Sequence, residues 1–131
     1  MKNTTIINSD LISVMAQMGH RDELVLCDCG LPIPAGTRRI DLALTKGVPG
    51  FLPALDAILA ELEVEEVIMA EEMKAASPAM HEAIVNKLQG VKLGYVSHEI
   101  FKQRSASAKA CVRTGECTPY ANLILIAASL F

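Results

Sequence analysis

The chain has 131 residues, of which 51% are hydrophobic and 21% are charged, and its formal net charge is −3. This length predicts a single domain over residues 1–131, and the interspersed acidic and basic side chains exclude a nucleic-acid partner. A small domain has a large surface to cover, so this hydrophobic content predicts that apolar surface is buried between subunits.

The start of the chain and its cysteines indicate where the protein works. Residues 1–7 lack the apolar stretch and cleavage site of a signal peptide, and no apolar run is long enough to cross a bilayer. Four cysteines, at positions 27, 29, 111 and 117, are too few for the disulfide framework of a small secreted domain. We therefore expect a soluble cytoplasmic protein with no membrane partner.

The first predicted elements are a helix and a buried strand. Asn8 or Ser9 is placed to cap a helix that continues to about residue 18. Gly19 is expected to end this helix, because glycine adopts positive φ without steric cost. The short apolar run over residues 24–27 is typical of a buried strand.

Helices and strands alternate along the rest of the chain. Residues 39–44 form a second short strand or an extended segment, and apolar residues at three- and four-residue spacing predict a helix over 49–62. Further strands are predicted over 66–70, 91–96, 110–113 and 122–127, and further helices over 78–88 and 98–104. Such alternation predicts an α/β fold, a three-layer α/β/α domain with a largely parallel, Rossmann-like central sheet.

Two titratable side chains flank the first predicted strand. His20 lies just outside the preceding helix, and Asp28 follows the strand at its carboxyl end, where open α/β sheets bind their ligands. Gly30, Pro32 and Pro34 then predict a stiff loop over that end. Each residue also has a purely structural interpretation, since His20 can interact with the helix dipole and Asp28 can cap a turn.

A second group of polar residues occurs in the later half of the chain. His98 lies at a strand-to-helix junction, and the segment over 118–122 contains Tyr120 and Asn122. Phenol and amide groups hydrogen-bond neutral hydroxyls well, although this Tyr can also simply pack and this Asn can cap a turn. Together with His20 and Asp28, these groups suit a small polyol better than a phosphate or a base. His81 is expected on an exposed helix face without a role.

Several cofactor motifs are absent. The stretch over residues 30–37 resembles a phosphate loop, but Pro32 and Pro34 remove backbone donors and no lysine precedes Thr37. No dinucleotide fingerprint and no serine-hydrolase elbow occur. Cys27 and Cys29 are spaced too closely for a typical structural zinc site, so we expect no metal and no nucleotide cofactor.

Short stretches along nearly the whole chain resemble the family of ribose pyranases and fucose mutarotases. In order, they are residues 7–10, Gly19-His20 with Asp28, 30–34, 39–42, 70–72, 97–99 and 113–122. The chain departs from the family at Cys29, where alanine is common, and similarity is poorest between residues 77 and 95.

The resemblance implies an isomerase that interconverts the pyranose and furanose rings of D-ribose without a cofactor. It implies a cytoplasmic homo-oligomer, expected to be a decamer, with sites near subunit contacts. It also implies that His20 is the proton donor and Lys102 a weaker candidate near the sugar. The implied sugar contacts are Asp28, His98, Tyr120, Ala121 and Asn122.

The chemistry of ring opening agrees with these residue types. A cyclic hemiacetal opens when its ring oxygen gains a proton and its anomeric hydroxyl loses one, which needs only general acid and base groups. Histidine is the side chain best suited to proton transfer at neutral pH, which favours His20, while Asp28 either orients that imidazole or binds a sugar hydroxyl. Two alternatives remain open: a mutarotase for another sugar such as fucose, and a sugar-binding accessory protein without activity. Exchange between ring forms distinguishes the last of these.

Overall fold

The computed structural model describes residues 1–131 and contains one six-stranded sheet and five helices. The strands are β1 Glu23–Cys27, β2 Arg39–Asp41, β3 Val64–Ala70, β4 Lys92–Val96, β5 Ala110–Arg113 and β6 Leu123–Ala127. The helices are α1 Ser9–Gln17, α2 Phe51–Leu59, α3 Met73–Ala76, α4 Pro78–Lys87 and α5 His98–Ser105. None of them is both long enough and apolar enough to cross a membrane.

The sheet is mixed, with the strand order β2-β5-β1-β6-β3-β4. β6 runs antiparallel to both of its neighbours, β1 and β3, whereas the other neighbouring pairs are parallel. The prediction of a largely parallel sheet is therefore confirmed only in part. The reason is the short connection over residues 114–122, because a parallel return requires a crossover of a dozen or more residues, usually through a helix.

Helices pack on both faces of the sheet, but unequally. Leu24 and Leu26 of β1 belong to a core of 20 buried residues to which α1, α2 and α4 contribute. Val25 and Cys27 point the other way, into a core of 8 buried residues that includes Phe101 of α5. The alternation follows from the two-residue period of a strand. The result is a mixed α/β domain in which the core on one face of the sheet is much smaller than the core on the other.

The first helix begins as predicted but ends differently. Asn8 caps α1, since its Oδ1 accepts a hydrogen bond from Leu11 N at 2.9 Å. The helix ends at Gln17, and the residue with positive φ in the following turn is Arg21, at 72°, so the prediction that Gly19 takes this role is wrong. Gly19 N instead donates to Asp22 Oδ2 at 2.8 Å, and this bond shapes the turn.

Glu116 from the distant loop before β6 caps the second helix. Gly50, the N-cap residue of α2, has no side chain for the task, and Phe51 N donates to Glu116 Oε1 at 2.9 Å. The other carboxylate oxygen, Oε2, accepts from Thr118 Oγ1 at 2.7 Å. Together these bonds fix the loop over 114–120 against α2. The helix is shorter than the predicted 49–62 at both ends, and the single turn of α3 was not predicted.

The same loop is held closely from its other side. Thr114 Oγ1 donates to Cys27 O at 2.8 Å, which ties the loop to the end of β1. A Cβ atom on Gly115 would lie 2.5 Å from Thr45 O and 2.7 Å from Val48 N. Only glycine fits there, because the loop passes directly against residues 45–48, just before α2.

We expect Glu116→Ala to lower the free energy of unfolding by about 1 kcal/mol, because the variant loses a helix cap. Glu116→Gln keeps an acceptor for Phe51 N and should lose less. Urea denaturation of the three proteins at one protein concentration measures the difference, and equal stability of Glu116→Ala and wild type would refute the capping role.

The contribution of Glu116 should also depend on pH in a defined direction. Burial raises the pKa of this carboxyl, but hydrogen bonds from Phe51 N and Thr118 outweigh it, and the pKa lies below its ordinary 4.5. Its stabilising effect is therefore present above that ordinary value and is lost as the pH falls through the lowered native pKa. The gap between wild type and Glu116→Gln should close in acid.

Candidate functional site

A cavity of about 370 Å³ lies at the edge of the sheet where the parallel strands end. Its lining comes from residues 28–32 after β1, from His98 at the start of α5, and from residues 116–120 before β6. Because β6 is antiparallel, the loop that precedes it meets the carboxyl ends of the other strands. The structure thus brings together Asp28, His98 and Tyr120, as expected for a ligand site in an open α/β sheet.

One carboxylate oxygen of Asp28 is used by the protein and the other is free. Oδ1 accepts hydrogen bonds from Gly30 N at 3.0 Å and from Leu31 N at 2.9 Å, which closes the loop in the manner of an Asx turn. Burial raises the pKa of Asp28, although these two amides act in the opposite direction. Oδ2 can therefore accept a hydrogen bond from a ligand hydroxyl or exchange a proton with it.

His98 is fixed by its backbone, while its ring is open to a ligand. Its amide N donates to both carboxylate oxygens of Glu72, at 3.1 and 3.0 Å, and Ser97 caps α5 by accepting from Ile100 N at 3.2 Å. The buried Nδ1 of His98 has no hydrogen-bond partner in the chain. Because Nδ1 makes no hydrogen bond within the chain, nothing in the chain fixes the tautomer of this ring, and an unpaired buried nitrogen of this kind costs free energy.

Tyr120 is held in an unusual backbone conformation beside His98. Its φ is 62°, a left-handed value that is uncommon for a residue other than glycine. Asn122 N donates to Tyr120 O at 2.8 Å, and Ser77 Oγ donates to Pro119 O at 2.6 Å, so both sides of the residue are tied. The rings of Tyr120 and His98 meet edge to face, with centroids 5.0 Å apart. Backbone strain of this kind is frequent at binding sites.

Asn122 and Ala121 lie behind the cavity rather than in its lining. Both are buried, and Ala121 belongs to the larger core. Asn122 Oδ1 accepts a hydrogen bond from Asp28 N at 2.9 Å, whereas its Nδ2 has no partner. Asn122 therefore positions Asp28, and its side chain also opposes the effect of burial on the pKa of Asp28. Sugar contacts of these two residues stay a prediction.

His20 lies at the opposite edge of the sheet from this cavity. His20 precedes β1 and Asp28 follows it, and the six residue steps from Asp22 to Asp28 along this strand span roughly 20 Å. His20 Nε2 is 3.0 Å from Glu65 Oε1, and its side chain is 55% exposed. The hypothesis that Asp28 orients His20 does not hold within one subunit, where the carboxylate beside the imidazole is Glu65.

Glu65 was not identified from the sequence. Arg21 Nη1 lies 3.1 Å from Glu65 Oε1 and 3.0 Å from Glu66 Oε1, so one guanidinium bridges the two carboxylates. Hydrogen bonds from Arg21, and then from His20, hold the pKa of Glu65 below its ordinary value. Two adjacent acidic residues inside an otherwise apolar strand are the signal that could have indicated this surface cluster.

The remaining candidates lie away from the cavity lining. Lys102 Nζ contacts Glu99 Oε1 at 2.7 Å on α5. His81 is half-buried rather than exposed, and its Nε2 hydrogen-bonds Tyr95 Oη at 2.7 Å, so the prediction of an exposed His81 is wrong. No group of three or more His, Cys, Asp or Glu side chains is arranged to hold a metal ion.

Comparison with protein families and sequences gives one consistent result. Residues 1–129 match the model of the RbsD / FucU transport protein family. The chain is 48% identical to D-ribose pyranase of Escherichia coli O1:K1 over 139 aligned positions, with both chains covered completely. It is equally similar, again over the whole of both chains, to D-ribose pyranase of Vibrio cholerae serotype O1.

Solved structures give the same result. The structure of Bacillus subtilis RbsD complexed with D-ribose has a TM-score of 0.97 and 44% sequence identity, with both chains covered completely. The fucose mutarotase of Streptococcus pneumoniae, in complex with L-fucose, has a TM-score of 0.75 and 26% identity, also over both whole chains. This chain therefore belongs to the RbsD / FucU family.

Proposed function

We propose that this protein is an isomerase that interconverts the pyranose and furanose forms of D-ribose. The observation that carries the proposal is the cavity that joins Asp28, His98 and Tyr120, in a chain similar over its full length to D-ribose pyranases. Ribose is favoured over fucose because identity to the ribose-bound structure is 44%, against 26% for the fucose mutarotase. Residues 1–131 act as one domain, and four unpaired cysteines favour the reducing cytoplasm.

Acid and base groups suffice for this reaction. When the pyranose opens, the bond from C1 to O5 breaks, O5 gains a proton, and the hydroxyl on C1 loses one to give the aldehyde. The hydroxyl on C4 then attacks C1, loses its proton, and the aldehyde oxygen regains one, so no atom is gained or lost. Positioned acid and base groups contribute typically about 10²- to 10⁴-fold to such proton transfers.

Each residue of the cavity has a separate role in binding the sugar. In this proposal Asp28 Oδ2 accepts a hydrogen bond from one sugar hydroxyl, and the ring of His98, which lines the cavity, hydrogen-bonds another. The Tyr120 phenol adds a further hydrogen bond on the side of the loop before β6. We also propose contacts from Asn122 and Ala121, which lie directly behind this lining. These contacts hold the ring forms and the open chain in one place while protons move.

His20 serves the cavity of a neighbouring subunit in this proposal. Within one chain it lies roughly 20 Å from Asp28, too far for proton transfer. Its exposed imidazole and its partner Glu65 lie on the surface at that edge, where a second copy can meet them. A contact between opposite edges of two copies is heterologous. Such contacts form a closed ring when the rotation between copies closes, as in the homo-oligomer, expected to be a decamer, that the family resemblance implies.

Exposed apolar side chains support such an assembly. Ile7 is 78% exposed, Leu44 82% and Leu130 86%, and Phe131 at the end of the chain is fully exposed. Ile100 is also exposed on α5, the helix that covers the smaller core. Burial of apolar surface of this kind is favourable by about 25 cal/mol per Å².

We expect His20→Ala to lower the rate of ring exchange by about 10²- to 10⁴-fold while ribose affinity stays within about 2-fold. A proton-transfer group acts mainly in the transition state, whereas the hydroxyl contacts hold the ground state. NMR saturation transfer between the pyranose and furanose signals of ribose measures exchange, and titration measures affinity. His81→Ala is the matched control, because His81 lies outside the cavity lining, and it should exchange ribose like wild type.

The same experiment separates the alternatives. Exchange of fucose but not of ribose would identify a mutarotase for the other sugar. Ribose binding without any exchange would identify an accessory sugar-binding protein and refute the proposed activity. Normal exchange by His20→Ala would leave His98 as the acid or base.

Assembly is tested independently of activity. If the exposed apolar side chains lie between subunits, light scattering should give a native mass several times 14.1 kDa at micromolar concentration. A stable monomer that exchanges ribose at full rate would contradict the role of a neighbour's His20.

A further inference from the structure

Two thiols lie together in the lining of the sugar cavity. Cys29 Sγ and Cys117 Sγ are 3.8 Å apart, and neither belongs to a disulfide. Cys117 is exposed and Cys29 is partly exposed. The other two cysteines differ, since burial raises the pKa of Cys27 to about 12 and that of Cys111 to about 11. Of the four cysteines, only Cys29 and Cys117 are exposed enough to react with a soluble oxidant.

Hydrogen bonds join the backbone segments that carry the two thiols. Cys29 N donates to Glu116 O at 2.8 Å, next to Cys117 in sequence, and Arg113 Nε donates to Cys29 O at 3.1 Å. Forming the bond would shorten the distance between the sulfur atoms from 3.8 Å to about 2.0 Å and so draw the two loops together. Cys117 also lines a second cavity of about 940 Å³, with Lys46, Leu52 and residues 76–80. An oxidant can thus approach without entering the sugar cavity.

We propose that Cys29 and Cys117 form a reversible disulfide that lowers the activity of the sugar cavity. The effect on activity rests on the proposed function, whereas formation of the bond does not. The oxidant is a small disulfide such as oxidised glutathione. One cysteine thiolate attacks it and releases one glutathione thiolate, and the second cysteine then displaces the other. The protein loses two protons and two electrons, and two reduced glutathione molecules form.

The difference in exposure between the two thiols assigns an order to these steps. Cys117, the more exposed thiol, attacks first, and Cys29 resolves the mixed disulfide because it lies alongside.

The bond would act directly on the geometry of the site. Cys29 follows Asp28 in the chain, and Cys117 shares its loop with Tyr120. Drawing the two sulfur atoms together moves the loop after β1 relative to the loop before β6. Catalysis depends on positions to within about 1 Å, and a shift of that size can cost about 10²-fold. We expect the oxidised protein to exchange ribose at least about 10-fold more slowly than the reduced one.

The test treats the intact protein with oxidised glutathione and measures mass, linked peptides and ribose exchange. We expect a mass lower by two hydrogens, one linkage between Cys29 and Cys117, the loss of exchange, and recovery of exchange with dithiothreitol. Cys29→Ala and Cys117→Ser should form no such linkage. In each variant the ratio of the oxidised rate to its own reduced rate should stay near one.

Several results would overturn the proposal. A stable glutathione adduct in place of the linkage, or a linkage that leaves exchange unchanged, would do so. An equal loss of exchange in oxidised Cys29→Ala would place the effect elsewhere. If the reduced wild type exchanges no ribose, the proposed function fails, and peptide mapping together with ribose affinity before and after oxidation still decides the role of the thiol pair.

Discussion

The site depends on the antiparallel pairing of β1 with β6. This pairing places the start of β6 beside the end of β1, so that Asn122 Oδ1 accepts a hydrogen bond from Asp28 N. It also delivers Tyr120 to the edge at which β4 ends and His98 begins α5. Were β6 parallel, its preceding loop would lie at the other edge of the sheet, and Asp28 and Tyr120 could not share a cavity.

The same geometry separates His20 from Asp28 within a subunit. A helix end before β1 and a loop after β1 must lie at opposite edges, because a strand is extended. The cavity of one chain therefore contains a carboxyl, an imidazole and a phenol, while a second imidazole, paired with Glu65, lies on the far surface. The neighbouring subunit that we propose would reconcile these facts, and it would link the exposed apolar side chains to catalysis.

Local patterns predicted most elements and the residues that follow β1 and β4. They could not predict the direction of β6, since periodicity gives a strand's faces and not its neighbours. They also missed contacts between distant segments, because those depend on tertiary packing. Examples are the hydrogen bond by which Glu116 caps α2 and the contact between Glu65 and His20. The sequence predicts a positive φ at Gly19 after α1, whereas the structure has it at Arg21, in a turn where Gly19 N donates to Asp22 Oδ2.

The most direct test of a site shared between subunits is complementation by ribose exchange. His20→Ala and Asp28→Asn, each weakly active alone, would be unfolded together and refolded as mixed oligomers. If each site takes His20 from one chain and Asp28 from another, about a quarter of the sites in an equal mixture regain both groups, and exchange should recover to about that fraction of wild type. A mixture no more active than the separate variants would contradict the shared site.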